Sequence, residues 1–309
     1  MGVEVGRKTV AENDTIIKHL VKTIISETVY FLYQKGFLKM HNTITVMSID
    51  DTIKLLQTTN KSLARFGDGE LFVMRGGTLA FQNSDPELAK ELIEIASYQY
   101  DDLVISMQDI FNGVNQYVPK SRSFWKEHLL TYRKYYEKYC NPNRVYASTS
   151  FSRCYLTLND KSKCKQWFNE IKKIWNEKDI VIVEGETTHN GVGNDLFNNC
   201  KSVVRIICPS TNAYASINKI YEACLKQRKD KVFLISLGPA AKPLVYKLFI
   251  KGYRAIDIGQ LDTEYEWFKM NAVQKEKIEK HNVIGKEENL KKGYDNYLEE
   301  IRCVIKYNA

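Results

Sequence analysis

Residues 61–70 read Lys61-Ser-Leu-Ala-Arg-Phe-Gly-Asp-Gly-Glu70, a short apolar segment that ends in two acids separated by one glycine. The apolar part predicts a buried strand, and the glycines that follow predict a turn that carries Asp68 and Glu70. Two carboxylates in such a turn can hold a divalent metal beside a phosphate, or one of them can act as a general base. A solvated turn explains the same pattern, so the rest of the chain has to decide between these interpretations.

The composition is that of a globular protein with a sizeable core, since 44% of its 309 residues are hydrophobic. With 45 Lys and Arg against 37 Asp and Glu, the net charge of +8 favours anionic partners such as nucleotide phosphates or an anionic membrane surface. The seven cysteines include no Cys-x-x-Cys pair and the five histidines are scattered, so we expect neither a disulfide framework nor a zinc site. Without a secretory signal or a long apolar run, the chain is expected in the cytoplasm, either free or at the inner face of the membrane.

The first 45 residues are expected to form an N-terminal helical extension, because residues 15–36 repeat apolar side chains at helical spacing. Such an amphipathic helix can pack on the core, form a homodimer with a second copy of the chain, or make peripheral contact with a membrane. The sequence leaves these three alternatives open. The stripe comprises Ile17, Leu20, Val21, Ile24, Thr28, Phe31 and Leu32.

Beyond residue 45 the chain alternates apolar β runs with helical segments. Strands separated by helices indicate a parallel sheet that is covered on both faces. The predicted fold class is therefore α/β, a Rossmann-like doubly wound, mostly parallel sheet over residues 46–285, followed by a C-terminal tail, 286–309, that we expect to be helical. The predicted strands are 62–66, 103–107, 144–148, 180–183, 203–207, 231–236 and 254–258, and the predicted helices include 48–58, 161–176, 212–228 and 240–250.

Two further segments carry helix signals. Ser84-Asp-Pro-Glu87 offers a capping box that begins at Ser84, and Pro86 suits the first helical position. Residues 119–139 are basic and aromatic, which can indicate a nucleic-acid surface, but their apolar positions repeat at helical spacing. We therefore expect these side chains in the core and no nucleic-acid partner. The repeated positions are Trp125, Leu129, Tyr132, Tyr136 and Tyr139.

Acids and glycines follow four of the predicted strands, at the edge where a doubly wound sheet binds its ligands. Because buried carboxylates are costly without a partner, a shared polar site is the better account of the whole group. Each acid alone has a structural alternative: Glu184 can pair with an arginine or cap a helix, and Asp257 can form a salt bridge. Asp262 can be the N-cap of a helix over 264–270. The segments are Asp68 with Glu70, Glu184-Gly-Glu186 with Gly191-Val-Gly-Asn-Asp-Leu-Phe197, Leu237-Gly-Pro-Ala240, and Asp257 with Gly259, Asp262 and Glu264.

In their order and spacing these segments resemble bacterial glycosyltransferases of the GT-D fold, a family first catalogued as a domain of unknown function. The resemblance extends over roughly residues 60–270, and the ordered series is far more specific than any one of its members. Residues 1–45 and those beyond about 285 lie outside it. The segments that carry the resemblance are Arg65-Phe-Gly-Asp-Gly-Glu70, Phe81-Gln82, Ile182-Val-Glu-Gly-Glu186, Gly191-Val-Gly-Asn-Asp-Leu-Phe197, Ile207-Cys-Pro209, Asn212-Ala213, Leu237-Gly-Pro239, Gly252-Tyr253, Ala255-Ile-Asp-Ile-Gly259 and Glu264-Tyr-Glu-Trp-Phe268.

The resemblance implies an enzyme that binds a UDP-sugar with a divalent metal, Mn or Mg, and transfers a hexose to a glycan, glycolipid or glycoprotein acceptor. It further implies a place in the biosynthesis of surface polysaccharide or glycoprotein. Asp68 and Glu70 become the catalytic and metal-binding residues, with Asp68 expected at the metal and diphosphate and Glu70 on the acceptor side. The implied nucleotide-sugar-binding residues are Arg65, Glu184, Asn194, Asp195, Gly238, Pro239, Asp257 and Asp262.

The chain departs from the family pattern at three places. It has Thr188-His189-Asn190 where a basic residue is usual, Ala240 where a Thr follows Gly-Pro, and Gln260 where a His follows Ile-Gly. The first departure removes a positive charge, for which His189 or Lys242 is a candidate substitute.

Two other function classes fit parts of the sequence. If these departures abolish catalysis, the chain is a nucleotide-binding or scaffolding subunit, and UDP binding without sugar transfer would indicate it. A Rossmann methyltransferase is suggested by Val183-Glu-Gly-Glu186 after a strand, although the glycine-rich turn that such enzymes need is missing close behind. Thermal stabilisation by the methyl donor but not by UDP would indicate that class.

Overall fold

The structure, a computed structural model, describes residues 17–18, 20–21, 23–32, 35, 44–281 and 293–307. Within these ranges nine strands form one sheet, and every neighbouring pair of strands is parallel. This arrangement confirms the predicted α/β class. The strands are β1 (Thr45–Val46), β2 (Ser62–Arg65), β3 (Leu103–Met107), β4 (Val145–Ser148), β5 (Asp179–Gly185), β6 (Ser202–Cys208), β7 (Val232–Ser236), β8 (Arg254–Asp257) and β9 (Ile301–Val304).

Helices connect the strands and bury the sheet on both faces. All residues of β2 and β3 are buried, and because successive side chains of a strand point to opposite faces, both faces must be covered. Residues 23–32 form a further helical segment before the sheet. The helices after it are α1 (Ile49–Thr58), α2 (Asp68–Met74), α3 (Pro86–Ala96), α4 (Pro119–Tyr139), α5 (Cys164–Lys173), α6 (Ile217–Leu225), α7 (Ala241–Ile250), α8 (Leu261–Lys269) and α9 (Tyr294–Glu300).

Helix α4 confirms the helical interpretation of residues 119–139. Trp125, Leu129 and Tyr136 are buried, and Tyr132 and Tyr139 are partly buried against the core. The aromatic residues therefore stabilise the fold, as the spacing predicts.

Helix α3 starts at Pro86, as predicted, but its N-cap lies one residue after the predicted cap. Asp85 Oδ1 accepts hydrogen bonds from the amide nitrogens of Glu87 (2.9 Å) and Leu88 (3.0 Å), so Asp85 is the N-cap. The predicted cap at Ser84 is wrong because Pro86 takes the first helical position, directly after Asp85.

The strand order decides where ligands can bind. Across the sheet it runs β1-β4-β3-β2-β8-β7-β5-β6-β9, so all carboxyl ends lie at one edge. After β5 the chain continues to β6 on one side, whereas after β7 it continues to β8 on the other side. A crevice therefore opens between the ends of β5 and β7, which is where doubly wound sheets bind ligands.

Asp68 and Glu70 lie in the first turn of α2, not in the predicted turn. Gly67 is the N-cap, and Glu70 Oε2 accepts a hydrogen bond from the Gly67 amide nitrogen at 2.8 Å. This contact satisfies one of the amide groups that a helix start leaves without a partner, so the chain turns directly into a helix.

The C-terminal tail contributes to the sheet. After α9, strand β9 pairs with β6 and forms the last strand of the sheet. The sequence analysis predicted a helix here but not this strand, because Ile301-Arg-Cys-Val304 is short and only half-buried. The domain boundaries at 45/46 and 285/286 stay predictions.

The predicted helix over 15–36 is helical wherever its residues are described, at 17–18, 20–21 and 23–32. Its other positions lie outside the described residues. The apolar side chains of Ile17 and Ile24 are 57% and 63% exposed, whereas Tyr30 is buried. Nowhere in the described ranges is a helix both long and apolar enough to cross a membrane. This segment contacts helix α4, because Lys126 Nζ lies 2.6 Å from Glu27 Oε2, and Tyr30 belongs to the hydrophobic core. Contact with a second copy of the chain or with a membrane stays a prediction.

Candidate active site

The ten residues predicted for the site divide between two clusters at the carboxyl edge of the sheet. The first cluster lies at the ends of β2, β7 and β8 and contains Arg65, Asp68, Glu70, Gly238, Pro239 and Asp257. The second cluster lies around the loop that follows β5 and contains Glu184, Asn194, Asp195 and Asp262.

Glu70 is buried in the first cluster, and both of its carboxylate oxygens have partners. Oε1 accepts a hydrogen bond from Lys242 Nζ at 2.6 Å, and Oε2 accepts one from the Gly67 amide at 2.8 Å. Burial opposes ionisation, but the charge and hydrogen bond of Lys242, followed by the charge of Arg65, outweigh it. They hold the pKa of Glu70 below its ordinary value, so its carboxylate is ionised at neutral pH.

Lys242 connects the ends of three strands. Besides Glu70, its Nζ donates a hydrogen bond to the Gly238 carbonyl at 3.0 Å and lies 3.1 Å from Asp257 Oδ2. Asp257 thus has the salt bridge that was its structural alternative, although burial raises the pKa of its carboxyl against the charges of Lys242 and Arg65. The side chain of Lys242 is 2% exposed, so its ammonium group is fully committed to this network.

Two arginines follow neighbouring parts of the sheet edge: Arg65 ends β2, and Arg153 follows the turn after β4. Arg65 is buried, donates from Nε to the Thr149 carbonyl at 3.4 Å, and packs against Gly259, whose φ of +51° only glycine adopts without strain. Burial and then the charge of Arg153 lower the pKa of Arg65. Paired guanidinium groups suit the oxygens of a phosphate.

Arg153 was not found by the sequence analysis, because the search covered four strand ends and omitted the end of β4. Its nearest acid is Glu264, at 3.9 Å between Arg153 Nε and Glu264 Oε1. The other oxygen of Glu264 accepts hydrogen bonds from the amides of Tyr155 (3.1 Å) and Leu156 (2.9 Å). Glu264 therefore fixes the segment that carries Arg153.

Asp68 is the open carboxylate of the first cluster. It is half-buried, and in the part of the chain that the structure describes it forms no hydrogen bond or ion pair. Residues two apart on a helix do not face each other, so Asp68 and Glu70 point in different directions from α2. The pair does not offer two oxygens to one ion.

Asp68 is the more accessible of the two acids for a divalent metal, because Glu70 is buried and each of its oxygens accepts a hydrogen bond. The described residues contain no group of three His, Cys, Asp or Glu side chains that could hold a metal on their own. Magnesium-like ions are commonly bound by one or two carboxylates together with phosphate oxygens of the substrate. Asp68, beside the arginine pair, can serve as that single carboxylate, whereas Glu70 is already bonded on both oxygens.

In the second cluster, Asp262 holds the loop that follows β5. Its Oδ1 accepts hydrogen bonds from the Gly191 amide (2.8 Å) and from Asn194 Nδ2 (2.7 Å). Its Oδ2 lies 2.9 Å from both Lys280 Nζ and His281 Nε2. Asp262 is not the N-cap that the sequence suggested as an alternative, because α8 begins one residue earlier and Gln260 is its N-cap.

The other polar residues of this loop also bond within the protein. Asn194 donates to Glu266 Oε1 at 2.6 Å, and Asp195 bonds Lys172 Nζ at 2.6 Å and the Tyr265 hydroxyl at 2.8 Å. The hydrogen bond from Lys172 is the largest influence that lowers the pKa of Asp195 to about 2.

Glu184 forms an ion pair with an arginine, which was one of its structural alternatives. Its Oε1 lies 2.6 Å from Arg205 Nη1, and its Oε2 accepts a hydrogen bond from the Asn190 amide at 2.7 Å. Arg205 also bonds Glu300 at 2.6 Å, which ties helix α9 to the sheet. Glu184 is fully buried and faces no solvent.

A cavity of about 640 Å³ lies between the loop 191–198, helix α8 and helix α9. Asn194, Asp195 and Glu266 line its inner side, and Tyr297 lies on the wall that α9 provides. Because α9 lies outside the stretch that resembles the GT-D family, this wall is supplied by the C-terminal tail.

Neither candidate substitute for the missing basic residue offers a free charge. His189 is buried, its Nδ1 lies 2.8 Å from the Lys280 carbonyl, and burial lowers the pKa of its imidazole. Lys242 is held by Glu70 and Asp257. Arg153 is the cation that the structure places beside Arg65 instead.

Replacement of Asp262 by Asn is expected to lower the free energy of unfolding by about 3 kcal/mol at pH 7, because it breaks a buried ion pair. Burial opposes ionisation of Asp262, but His281 and Lys280 outweigh it and bring its pKa from 3.8 to about 2. A depressed carboxyl pKa contributes stability above about pH 4, and this stability is lost as the pH falls towards 2.

Denaturant unfolding between pH 2 and pH 7 measures this contribution. The variant should lose less stability than the wild type between pH 4 and pH 2, because the group that titrates there is gone. Asp68→Asn is the matched control, since Asp68 forms no hydrogen bond or ion pair with the residues that the structure describes and its loss should cost far less stability at pH 7. Equal acid sensitivity of Asp262→Asn and the wild type would contradict the assignment.

The family described as glycosyltransferase GT-D fold has a sequence model that matches residues 63–285. The chain is 42% identical over 236 residues to a probable glycosyl transferase, Gly, of Streptococcus gordonii, which covers 76% of this chain and 34% of that protein. It is 39% identical over 236 residues to glycosyltransferase GlyD of Streptococcus pneumoniae serotype 4, covering 76% of this chain and 29% of that protein. The chain thus spans about a third of the length of these curated relatives.

Solved structures agree with the sequence match. One of them is a structure of the highly conserved domain of unknown function 1792, which is described as having a distinct glycosyltransferase fold. It has a TM-score of 0.80 at 37% identity, and the match covers 85% of this chain and 96% of that chain. Another, described as a new glycosyltransferase from Streptococcus sanguinis, has a TM-score of 0.79 at 39% identity and covers 85% of this chain and 100% of its own. Because the family match includes both clusters and the fold is shared, the chain belongs to the glycosyltransferase family of the GT-D fold.

Proposed function

We propose that the chain transfers a hexose from a UDP-sugar to a glycan, glycolipid or glycoprotein acceptor, with Mn or Mg bound beside the diphosphate. The observation that carries this proposal is the half-buried carboxylate of Asp68, three residues after the buried Arg65, at the carboxyl edge of a parallel sheet. We place the reaction in the biosynthesis of surface polysaccharide or glycoprotein.

The chemistry needs charge stabilisation on the departing diphosphate. Arg65 and Arg153 supply two guanidinium groups that bind phosphate oxygens with fixed geometry and need not move during the reaction. Asp68 would hold the divalent ion, which neutralises the growing negative charge when it is bound. The buried position of Arg65 strengthens its interaction with an anion, because little water competes.

The nucleotide is proposed to lie in the crevice between β5 and β7. Gly238 and Pro239 follow β7 there, and the Gly238 carbonyl is fixed by Lys242. The loop 191–198 forms the opposite side, and Glu184 and Asp262 act on it by holding its backbone amides at Asn190 and Gly191. We therefore assign these two acids to the shape of the pocket rather than to contact with the nucleotide.

A panel of UDP-, GDP- and ADP-sugars, each with Mn and with EDTA, tests the proposal. At least one UDP-sugar should release UDP slowly in the absence of acceptor, and EDTA should suppress that release. The GDP- and ADP-sugars control for contaminating hydrolases. If no UDP-sugar is bound or hydrolysed, the proposed function is wrong, and UDP binding without any transfer to a broad acceptor library would indicate a scaffolding subunit.

A further inference from the structure

The geometry points to different roles for the two acids of the Asp-x-Glu pair: Glu70 is a positioning residue, held with Lys242 and Asp257 in a buried ion bridge, and Asp68 alone faces the ligands. The ion bridge comprises the side chains of Glu70, Lys242 and Asp257. The inference rests on the proposed function, and it assigns Lys242 a positioning role in the reaction.

The first support is that each carboxylate oxygen of the buried Glu70 accepts a hydrogen bond within the protein. Lys242 Nζ and the Gly67 amide each occupy one of its oxygens, at 2.6 Å and 2.8 Å. A metal ion on Oε1 would lie next to the ammonium group of Lys242, and two cations so close in a buried site repel each other strongly. A proton acceptor must come within hydrogen-bond reach of the incoming hydroxyl, and Glu70 is buried, with 6% of its surface exposed.

The second support is what the ion bridge connects. Glu70 caps the first turn of α2, Lys242 belongs to the first turn of α7, and Asp257 ends β8. Lys242 also holds the Gly238 carbonyl at the end of β7. One ammonium group thus fixes the helix start that carries Asp68 relative to the loop proposed to bind the nucleotide.

The third support is the repetition of this geometry in α8. Asp262 and Glu264 are also two residues apart in the first turn of a helix. Asp262 bonds the loop after β5, whereas Glu264 bonds the amides of Tyr155 and Leu156, on the other side. In both pairs the two acids share no partner, as expected for residues two apart on a helix.

Glu70→Gln, Lys242→Met, Lys242→Arg and the double variant Glu70→Gln with Lys242→Met test the inference. Displacement of Asp68 by about 1 Å costs up to about 10²-fold in rate, so both single variants to neutral residues should lower kcat far more than they raise KM. The double variant should be no worse than the more impaired single variant, because both residues act as one unit. Lys242→Arg keeps the positive charge and should therefore retain part of the wild-type kcat. This variant tests the inference even if Lys242→Met folds poorly.

Manganese affinity in the presence of UDP, measured by electron paramagnetic resonance, separates positioning from metal binding. Glu70→Gln should leave this affinity nearly unchanged, whereas Asp68→Asn should abolish it. If Glu70 were a metal ligand, its loss would weaken binding and Lys242→Met would strengthen it by removing a competing cation. That pattern, or strictly additive losses of rate in the double variant, would overturn the inference.

Manganese binding by the wild-type protein distinguishes failure of this inference from failure of the proposed function. A wild-type protein that binds no manganese with UDP refutes the proposed function and this inference with it. A wild type that binds both, together with a loss of manganese affinity in Glu70→Gln, refutes the inference and leaves the glycosyltransferase function in place.

Discussion

Replacement of Asp68 by Asn is expected to lower turnover of the UDP-sugar by about 10²–10³-fold, the usual cost of removing one charge-stabilising group from an active site. Asn keeps the shape of the side chain and removes the negative charge that would hold the metal and diphosphate. Because Asp68 has no partner among the residues that the structure describes, the substitution leaves no buried group without a bond. The effect should therefore fall on the rate and not on the fold.

The position of Asp68 in its helix limits how much stability the Asp68→Asn variant can lose. Asp68 is the first residue of α2, where a negative charge interacts with the helix dipole and contributes about 0.3–1 kcal/mol. Asp295→Asn is the matched control, since Asp295 lies in the first turn of α9, a helix of the same length, and is exposed. It should lose a similar small amount of stability and no activity. Full turnover in Asp68→Asn would remove the proposed mechanism.

The fold could be predicted from the sequence because the central parallel strands β5 and β7 are buried on both faces and contain continuous apolar runs. Ile180-Val-Ile-Val183 and Val232-Phe-Leu-Ile235 show this directly, and both lie within observed strands. Strand β9 could not be predicted, since an edge strand is covered on fewer sides and Ile301-Arg-Cys-Val304 alternates half-buried with exposed positions. Its place beside β6 depends on a long-range contact that no local pattern records.

The candidate site was predicted as one rim of polar groups, and the sequence located its residues but not their partners. Lys242 and Arg153 lie far along the chain from Arg65 and Glu70, so their contacts exist only in the folded structure. The Asp-x-Glu segment was misassigned to a turn because its glycines favour turns, whereas the Glu70 cap allows a helix to start there. The same cap removes Glu70 from the surface.

Replacement of Arg205 by Met is expected to lower the free energy of unfolding by about 3–5 kcal/mol, because it leaves the buried charge of Glu184 without its partner. Arg205 is 3% exposed and lies 2.6 Å from carboxylate oxygens of both Glu184 and Glu300. It also donates to the Asn190 carbonyl at 2.9 Å. One side chain thus joins β5, β6 and α9, so its loss should also loosen the wall of the cavity.

The pH dependence of this variant identifies Glu184 as the cause. Burial already raises the pKa of Glu184 above its ordinary value, and loss of Arg205 removes the main charge that opposes this rise. A carboxyl group with a raised pKa binds its proton more tightly in the folded state, so the variant should lose stability as the pH rises from about 5 to 8. Adding Glu184→Gln to Arg205→Met should restore part of the stability and flatten this pH dependence, because no buried charge remains to be compensated.

In Glu300→Gln the loss of stability should be smaller, since the Glu300 side chain is 25% exposed to water. If denaturant unfolding shows the same loss for Arg205→Met at every pH, with no recovery in the double variant, then lost packing of the arginine stem, and not the charge of Glu184, sets the stability of this region.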